Sequence, residues 1–520
     1  MQSVRERVTK NALPPNAGED VVPQKRQIDV DVERSPDGSR IQSASDLFTL
    51  ICSGFALISD GLQNNIMSLT NVVFADLFGT KYTSSVSTRL SNSLTVGTIL
   101  GQISIGIVCD RLGRKAGIVI STFSIVAGII LCTAAHGANG SLHGFFWFFT
   151  LARGLTGIGV GGEYPSSSTS AAEAANEKVP KNRGPVFIMV TNFVLSFGGP
   201  FASMLYLIVF QAAGGLKADY STIWRTVFGI SVIPPLAVFI FRLRMLNSKL
   251  YQRSAIKRRV PYVLAIKYYW RSLIGTCGAW FLYDFVTFPN GVFSSTIIAS
   301  IVKAKGKEKL RKTAEYQLLL GSISLPGVII GALLCNRLGR RNVMMLGFAG
   351  YLVIGLTVGL AYERLIKHVG GFVVLYGLML SSGNLGPGDM LGLTSSESYA
   401  TAVRGTLYGF SAAIGKVGAV LGTESFTPLR NNLGPRYTFI VSACCGVLGV
   451  LVTFFFIRND LDRDLAIEDA QFEAYLSANG WSGDIGSEDA SLIKAVQQDS
   501  AKTVQQDSAK EGEVEGEDEK

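Results

Sequence analysis

Polar stretches alternate along the chain with apolar runs of roughly 20 residues or more, the length that crosses a bilayer as a helix rising 1.5 Å per residue. Six runs fall near 47–75, 83–109, 116–136, 143–173, 184–212 and 223–243, and six more near 271–300, 313–335, 342–362, 371–398, 405–428 and 436–457. The pattern predicts an all-α membrane protein of twelve transmembrane helices in two six-helix bundles. It divides the chain into a polar segment 1–46, a bundle 47–243, a basic linker 244–270, a second bundle 271–457 and an acidic tail 458–520. The tail repeats an octad, Ala495–Lys502 and Thr503–Lys510, before an acidic run. It has too little apolar content to offset chain entropy and reads as largely disordered.

The division into halves is supported by an internal duplication. Gly106-Ile-Val-Cys-Asp110-Arg111-Leu-Gly113-Arg114-Lys115 recurs 226 residues later as Ala332-Leu-Leu-Cys-Asn336-Arg337-Leu-Gly339-Arg340-Arg341. Each copy follows the second helix of its half, and an Arg-Gly pair (Arg183-Gly184, Arg404-Gly405) opens each fifth helix. Paired six-helix repeats with a site between them are an architecture of transporters.

Charge narrows the class. Only 17% of residues are charged, against about 25% in soluble proteins. Residues 47–457 hold 35 basic and 14 acidic residues, but they lie between apolar runs and form no solvated patch for nucleic acid. The reading is basic loops facing the cytoplasm. The stretch from Arg242 to Arg271, with nine Lys/Arg and no acid, puts the linker and both termini there, in a multi-pass plasma-membrane protein. Seven dispersed Cys form no metal spacing, and no nucleophile–base pair or nucleotide loop stands in a soluble domain. No enzyme, metal or cofactor is expected.

Ionisable residues inside the bilayer cost about 2.5–3.5 kcal/mol each. Counted along their helices, Asp60, Asp284 and Lys416 lie roughly 20 Å from one face, and Glu163 and Asp389 roughly 16 Å. A structural ion pair explains any one of them, whereas five in one layer call for a site. Buried carboxyls take up protons readily, and Lys416 suits an anionic substrate. Arg89 either draws anions into an outer vestibule or reaches up to the interface. Arg153 bonds neighbouring helices. Trp280, Asp284 and Phe288 share one face of their helix, and the Gly- and Pro-rich runs Gly161–Ser168 and Gly383–Asp389 suit broken helices beside a cavity.

The G-x-x-x-D-R-x-G-R-K run resembles the loop motif of the major facilitator superfamily and implies that fold. It also implies a gating latch of Asp110, Arg111, Gly113 and Arg114; Asn336 leaves the second copy without the acid. Gly161-Gly162-Glu163-Tyr164-Pro165-Ser166, Trp280-x-x-x-Asp284 and Gly405–Lys416 are similar to motifs of phosphate:proton symporters. That likeness implies phosphate contacts at Tyr164, Trp280 and Asp284 near Lys416, and proton-coupling carboxylates at Asp60, Glu163 and Asp284, with Asp389 a further candidate. Phe288 and Gly388 stand where those symporters have Tyr and Asn, which removes a donor and makes room beside Asn384. The chain looks most like fungal glycerophosphodiester permeases, through Tyr283-Asp284-Phe-Val-Thr-Phe288-Pro-Asn290 and Asp464–Asp469 with Asn479-Gly-Trp481. The expected function is proton-coupled import of a small anionic phosphodiester such as glycerophosphoinositol or glycerophosphocholine. Inorganic phosphate symport and a nutrient-sensing receptor are the alternatives. The expected partners are substrate, protons, the bilayer and cytoplasmic regulators of the tails.

Overall fold

Helices follow the apolar runs, and polar caps mark several of their starts. The computed structural model describes residues 51, 55–242, 261–459 and 465–481. In chain order the main helices are α1 (Ile58–Phe78), α2 (Ser84–Leu112), α3 (Arg114–Thr133), α4 (142–178), α5 (Pro180–Ala212), α6 (220–242), α7 (Tyr262–Ile301), α8 (Gly306–Leu338), α9 (Arg340–Leu360), α10 (Val369–Ser398), α11 (Thr401–Asn432), α12 (Arg436–Phe456) and α13 (Leu465–Ala478). Side-chain oxygens of Thr83, Ser141 and Asp219 accept from the first-turn N–H groups of α2, α4 and α6. The segment 1–46, residues 243–260 of the basic linker, and the octads and acidic run of the tail lie outside the described residues.

Seven of these helices, α2, α3, α5, α8, α9, α10 and α12, are long and apolar enough to cross a membrane. Polar side chains dilute most of the others. Asp60, Gln63, Asn64 and Asn65 fall on α1, Arg153, Glu163 and Glu173 on α4, and Arg404, Lys416, Glu424 and Arg430 on α11; α6 is interrupted between Ile230 and Ile233. α7 begins at Tyr262, earlier than its apolar run, because Tyr268 and Tyr269 continue the helix to pack on Phe472 of α13.

The duplicated motif has one backbone solution in both copies. Gly113 (φ 97°) separates α2 from α3 and Gly339 (φ 81°) separates α8 from α9, a left-handed conformation that favours glycine. The repeat recurs in α4 and α10, which both contain a π-turn with a proline, at Tyr164–Ser168 and Asn384–Gly388. Such turns widen a helix locally and are frequent at functional sites. The two halves meet where α2 runs along α11, α5 along α8 and α1 along α7. Arg153, buried in the first half, donates to the Leu90 carbonyl at 3.2 Å and so ties α4 to α2.

α2 and α4 approach so closely that a Cβ on Gly161 would lie 2.2 Å from the Thr98 carbonyl oxygen. That neighbour is backbone and cannot rotate away. Gly161→Ala should therefore destabilise the protein by about 1–3 kcal/mol through overpacking, although Ala favours a helix by about 1 kcal/mol. Gly370→Ala, with nothing within 4 Å, should be neutral. Thermal unfolding in detergent checks both; an unchanged midpoint for Gly161→Ala would contradict the close-contact account.

Candidate functional site

Between the halves lies a cavity of about 220 Å³, lined from α1, α4, α5, α7, α8, α10 and α11. Asp60, Tyr164, Trp280, Asp284, Phe288, Asn384, Gly388, Asp389 and Lys416, all marked by the sequence, reach it. Neighbours the sequence did not single out, among them Asn64, Asn192, Gln317, Ser324 and Tyr408, line it too.

Lys416 is the hub. Its Nζ lies 3.7 Å from Asp60 Oδ2 and 3.4 Å from Asp284 Oδ2, so helices of both halves meet on one ammonium group. All three side chains are nearly inaccessible. Tyr164 donates to Asp60 Oδ2 through its hydroxyl, which lies 3.5 Å from Lys416 Nζ. Asn64 Nδ2 donates to Asp60 Oδ1 at 2.6 Å. The ammonium also sits 3.8 Å from the centroid of the Phe288 ring, a cation–π contact. Phe288 therefore does more than omit a hydroxyl: it holds the cation. Trp280 packs between Tyr164 and Tyr408 and completes an aromatic wall.

Other expected residues fall elsewhere. Glu163 is buried and accepts from Ser167 Oγ, but it is absent from the cavity lining, which its neighbour Tyr164 reaches instead. Arg89 is also outside the lining and stacks over the Trp147 ring at 4.3 Å. Asp389 accepts from Asn192 Nδ2 at 2.6 Å, a second bond across the halves. The room expected at Gly388 is already shared, since a Cβ there would lie 2.8 Å from the Tyr283 hydroxyl and 3.3 Å from Asn384 Oδ1.

At the end carrying the duplicated motif, two clusters join the halves reciprocally. Asp110 accepts from the backbone N–H of Gly405 (3.0 Å) and Thr406 (2.7 Å) and pairs with Arg114 at 2.9 Å. Glu173 takes Arg114 at 2.9 Å and Arg404, from the other half, at 3.3 Å. In the second copy Glu397 takes Arg340 at 3.1 Å and Arg183, from the other half, at 2.8 Å. Asn336 Oδ1 accepts from Arg340 at 3.1 Å. A second ion-pair cluster thus joins the halves despite the missing acid, because Glu397 supplies the charge. Arg111, unlike Arg114, is exposed.

The model of the sugar (and other) transporter family matches residues 47–260 and again 248–466. The chain belongs to that family, within the major facilitator superfamily. The resemblance drawn from its motifs is confirmed. This transporter is 54% identical to glycerophosphoinositol permease 1 of Candida albicans over 85% of its own length and 84% of the relative's. It is 48% identical to glycerophosphoinositol transporter 1 of Saccharomyces cerevisiae over 91% and 92%. Its fold matches that of the proton:xylose symporter XylE bound to 6-bromo-6-deoxy-D-glucose, with a TM-score of 0.66 and 17% identity, over 82% of this chain and 99% of that one.

Removing a buried ion-pair partner costs about 3–5 kcal/mol. Glu173→Gln and Glu397→Gln should each loosen the motif end of the transporter. The readout is alkylation of a cysteine introduced at Ser168, a cavity-lining position, by a reagent applied from that end. Labelling should accelerate in both variants; an unchanged rate would mean that the clusters do not hold the halves closed.

Proposed function

We propose that the chain is a proton-coupled plasma-membrane importer of glycerophosphodiesters. The observation that carries this reading is Lys416 held between Asp60 and Asp284. In the resting site the ammonium faces two carboxylates, which leaves one surplus negative charge. When one carboxyl takes up a proton from outside, that surplus negative charge is removed, and a phosphodiester monoanion takes its place on Lys416 beside the remaining carboxylate. On the inner side the carboxyl releases its proton, reclaims Lys416 and expels the anion. Tyr164 and Trp280 border the phosphate, and Asn192, Gln317 and Asn384 offer amides to the glycerol and headgroup. Glu163, outside the cavity, acts in this scheme on the packing around Tyr164. The volume supports a substrate larger than phosphate: one water needs about 10–15 Å³ of such space, against about 220 Å³ here.

In this reading α1 to α12 are twelve spans in two bundles, 47–243 and 271–457, with the motif end and both termini in the cytoplasm. The seven most apolar helices support it, as do the repeated glycine turns and π-turns. The substrates named for the two relatives support the glycerophosphodiester assignment.

The test is uptake of labelled glycerophosphoinositol, glycerophosphocholine and inorganic phosphate by cells lacking their own carriers. Glycerophosphodiester uptake should rise as external pH falls and collapse with a protonophore. Preference for phosphate would establish phosphate symport instead, and uptake indifferent to protonophore would end the coupling claim. Lys416→Ala should cost about 3 kcal/mol, roughly 100-fold in uptake, and Lys416→Arg should not fully restore it, because a bulkier planar guanidinium cannot occupy the compact ammonium's position between Asp60 and Asp284.

Asp284→Asn should abolish accumulation against a gradient while the protein still reaches the membrane. Phe288→Tyr with Gly388→Asn should lower glycerophosphodiester uptake, since the Asn has to displace the Tyr283 hydroxyl. Excess phosphate should also compete more strongly in that double variant, and undiminished uptake would show that the headgroup lies elsewhere.

A further inference from the structure

The charge distribution departs from the expectation that the basic loops face the cytoplasm. Tyr262, at the start of α7, is reached by Thr406 Oγ1 at the latch, and α7 ends at Ile301, about 60 Å away at 1.5 Å per residue. The connection that follows, at the end opposite the latch, carries Lys303, Lys305, Lys307, Lys309, Arg311 and Lys312 with one acid, Glu308. Basic residues ordinarily accumulate at the cytoplasmic side of spans, so this outer cluster calls for an explanation.

Two of the six charges are balanced locally, Lys312 by Glu308 at 3.1 Å and Arg311 by Glu315 at 3.4 Å. Among the described residues Lys303, Lys305, Lys307 and Lys309 form no ion pair, and Lys303 and Lys305 are exposed. From Lys307 onward the cluster lies over the seam between the halves, while Lys303 lines an outer cleft of the second half with Glu363 and Lys367. Leu310 and Ala314 are buried with Phe74, Phe145 and Trp224 of the first half, and Lys307 Nζ is 5.6 Å from the ring centroid of Tyr220 on α6. Further along α8, Gln317 lines the central cavity, eight residues and about 12 Å beyond Lys309. Deeper in the same outer region Arg430 covers the Phe293 ring at 4.4 Å, and its Nη1 has no hydrogen-bond partner among the described residues.

We infer that Lys303, Lys305, Lys307 and Lys309 form a cationic collar at the outer mouth that collects dissolved phosphodiester anions and delivers them to the central cavity. This rests on the proposed function for its direction and its substrate. Like charges at a mouth with low-dielectric walls raise the local concentration of counter-ions and association rates about 10-fold or more. Their reach at physiological ionic strength is about 8 Å, roughly two thirds of the helix rise between Lys309 and Gln317. The position of Lys307 and the turn that follows it over the seam favours a dissolved anion over a lipid headgroup, which would approach from the outer flank of a bundle.

The test replaces all four lysines by Gln in the full-length chain, with a second variant replacing all four by Arg. Initial uptake of labelled glycerophosphoinositol is followed against ionic strength at constant osmolarity. For the wild type, apparent KM should rise about tenfold from low to high salt. The Gln variant should show the high-salt KM at every salt concentration, with maximal rate and acid stimulation unchanged. The Arg variant should behave as the wild type. A Gln variant with wild-type KM and salt dependence would overturn the collar, as would loss of maximal rate in both variants, which marks a structural role. A difference that vanishes in proteoliposomes free of anionic lipid would assign the lysines to a lipid headgroup and also overturn it. Should the wild type carry no glycerophosphodiester, the proposed function fails by itself, and the same salt comparison read with inorganic phosphate still decides the collar.

Discussion

An ammonium group buried in the middle of a membrane protein has to be neutralised, and what neutralises Lys416 organises the rest of the molecule. Its two carboxylate neighbours come from α1 and α7, one in each half. Asp284 of its own half already balances Lys416, and Asp60 brings a surplus negative charge from the other half. The aromatic wall, the amides and the π-turned helices all surround this three-charge cluster. A protein that must keep one cation paired in low dielectric has a ready means of coupling: a proton taken up by one carboxylate offsets the negative charge that the anion brings.

The ion-pair clusters apply the same physics at the motif end. Glu173 and Glu397 each take one arginine from their own half and one from the other. Opening that end separates Arg404 from Glu173 and Arg183 from Glu397, which is costly unless something changes elsewhere. In the proposed mechanism the central cluster is where such a change arises, because it exchanges charge with substrate and protons. Reciprocal sharing also explains why the sequence repeat is symmetrical in its Arg-Gly pairs and not in its Asp/Asn position.

Much of this was legible in the sequence because it is periodic or costly. The duplication announced the two halves, and the motif glycines mark turns that only their backbone freedom allows. Asp60, Asp284 and Lys416 stood out because charges in apolar runs need partners. What was not legible depends on helix rotation and on neutral groups. Glu163 and Tyr164 are adjacent, yet Tyr164 reaches the cavity and Glu163 does not. Arg89 gave no sign that Trp147 would hold it, and amides such as Asn192 and Gln317 carry no charge to betray them. Glu173 and Glu397 were overlooked because acids near helix ends look like ordinary solvated residues until an arginine from the other half meets them. The basic end opposite the motif was hidden by summing charge over both faces.

The most direct test of the account is whether substrate binding takes up protons. Calorimetric titration of the purified transporter with glycerophosphoinositol near neutral pH, in buffers of different ionisation enthalpy, measures this without transport. If a proton and the anion settle the charge on Lys416 together, about one proton should be bound per substrate, and that uptake should vanish in Asp284→Asn while weaker binding persists. Tight binding with no net proton uptake in the wild type would contradict the account.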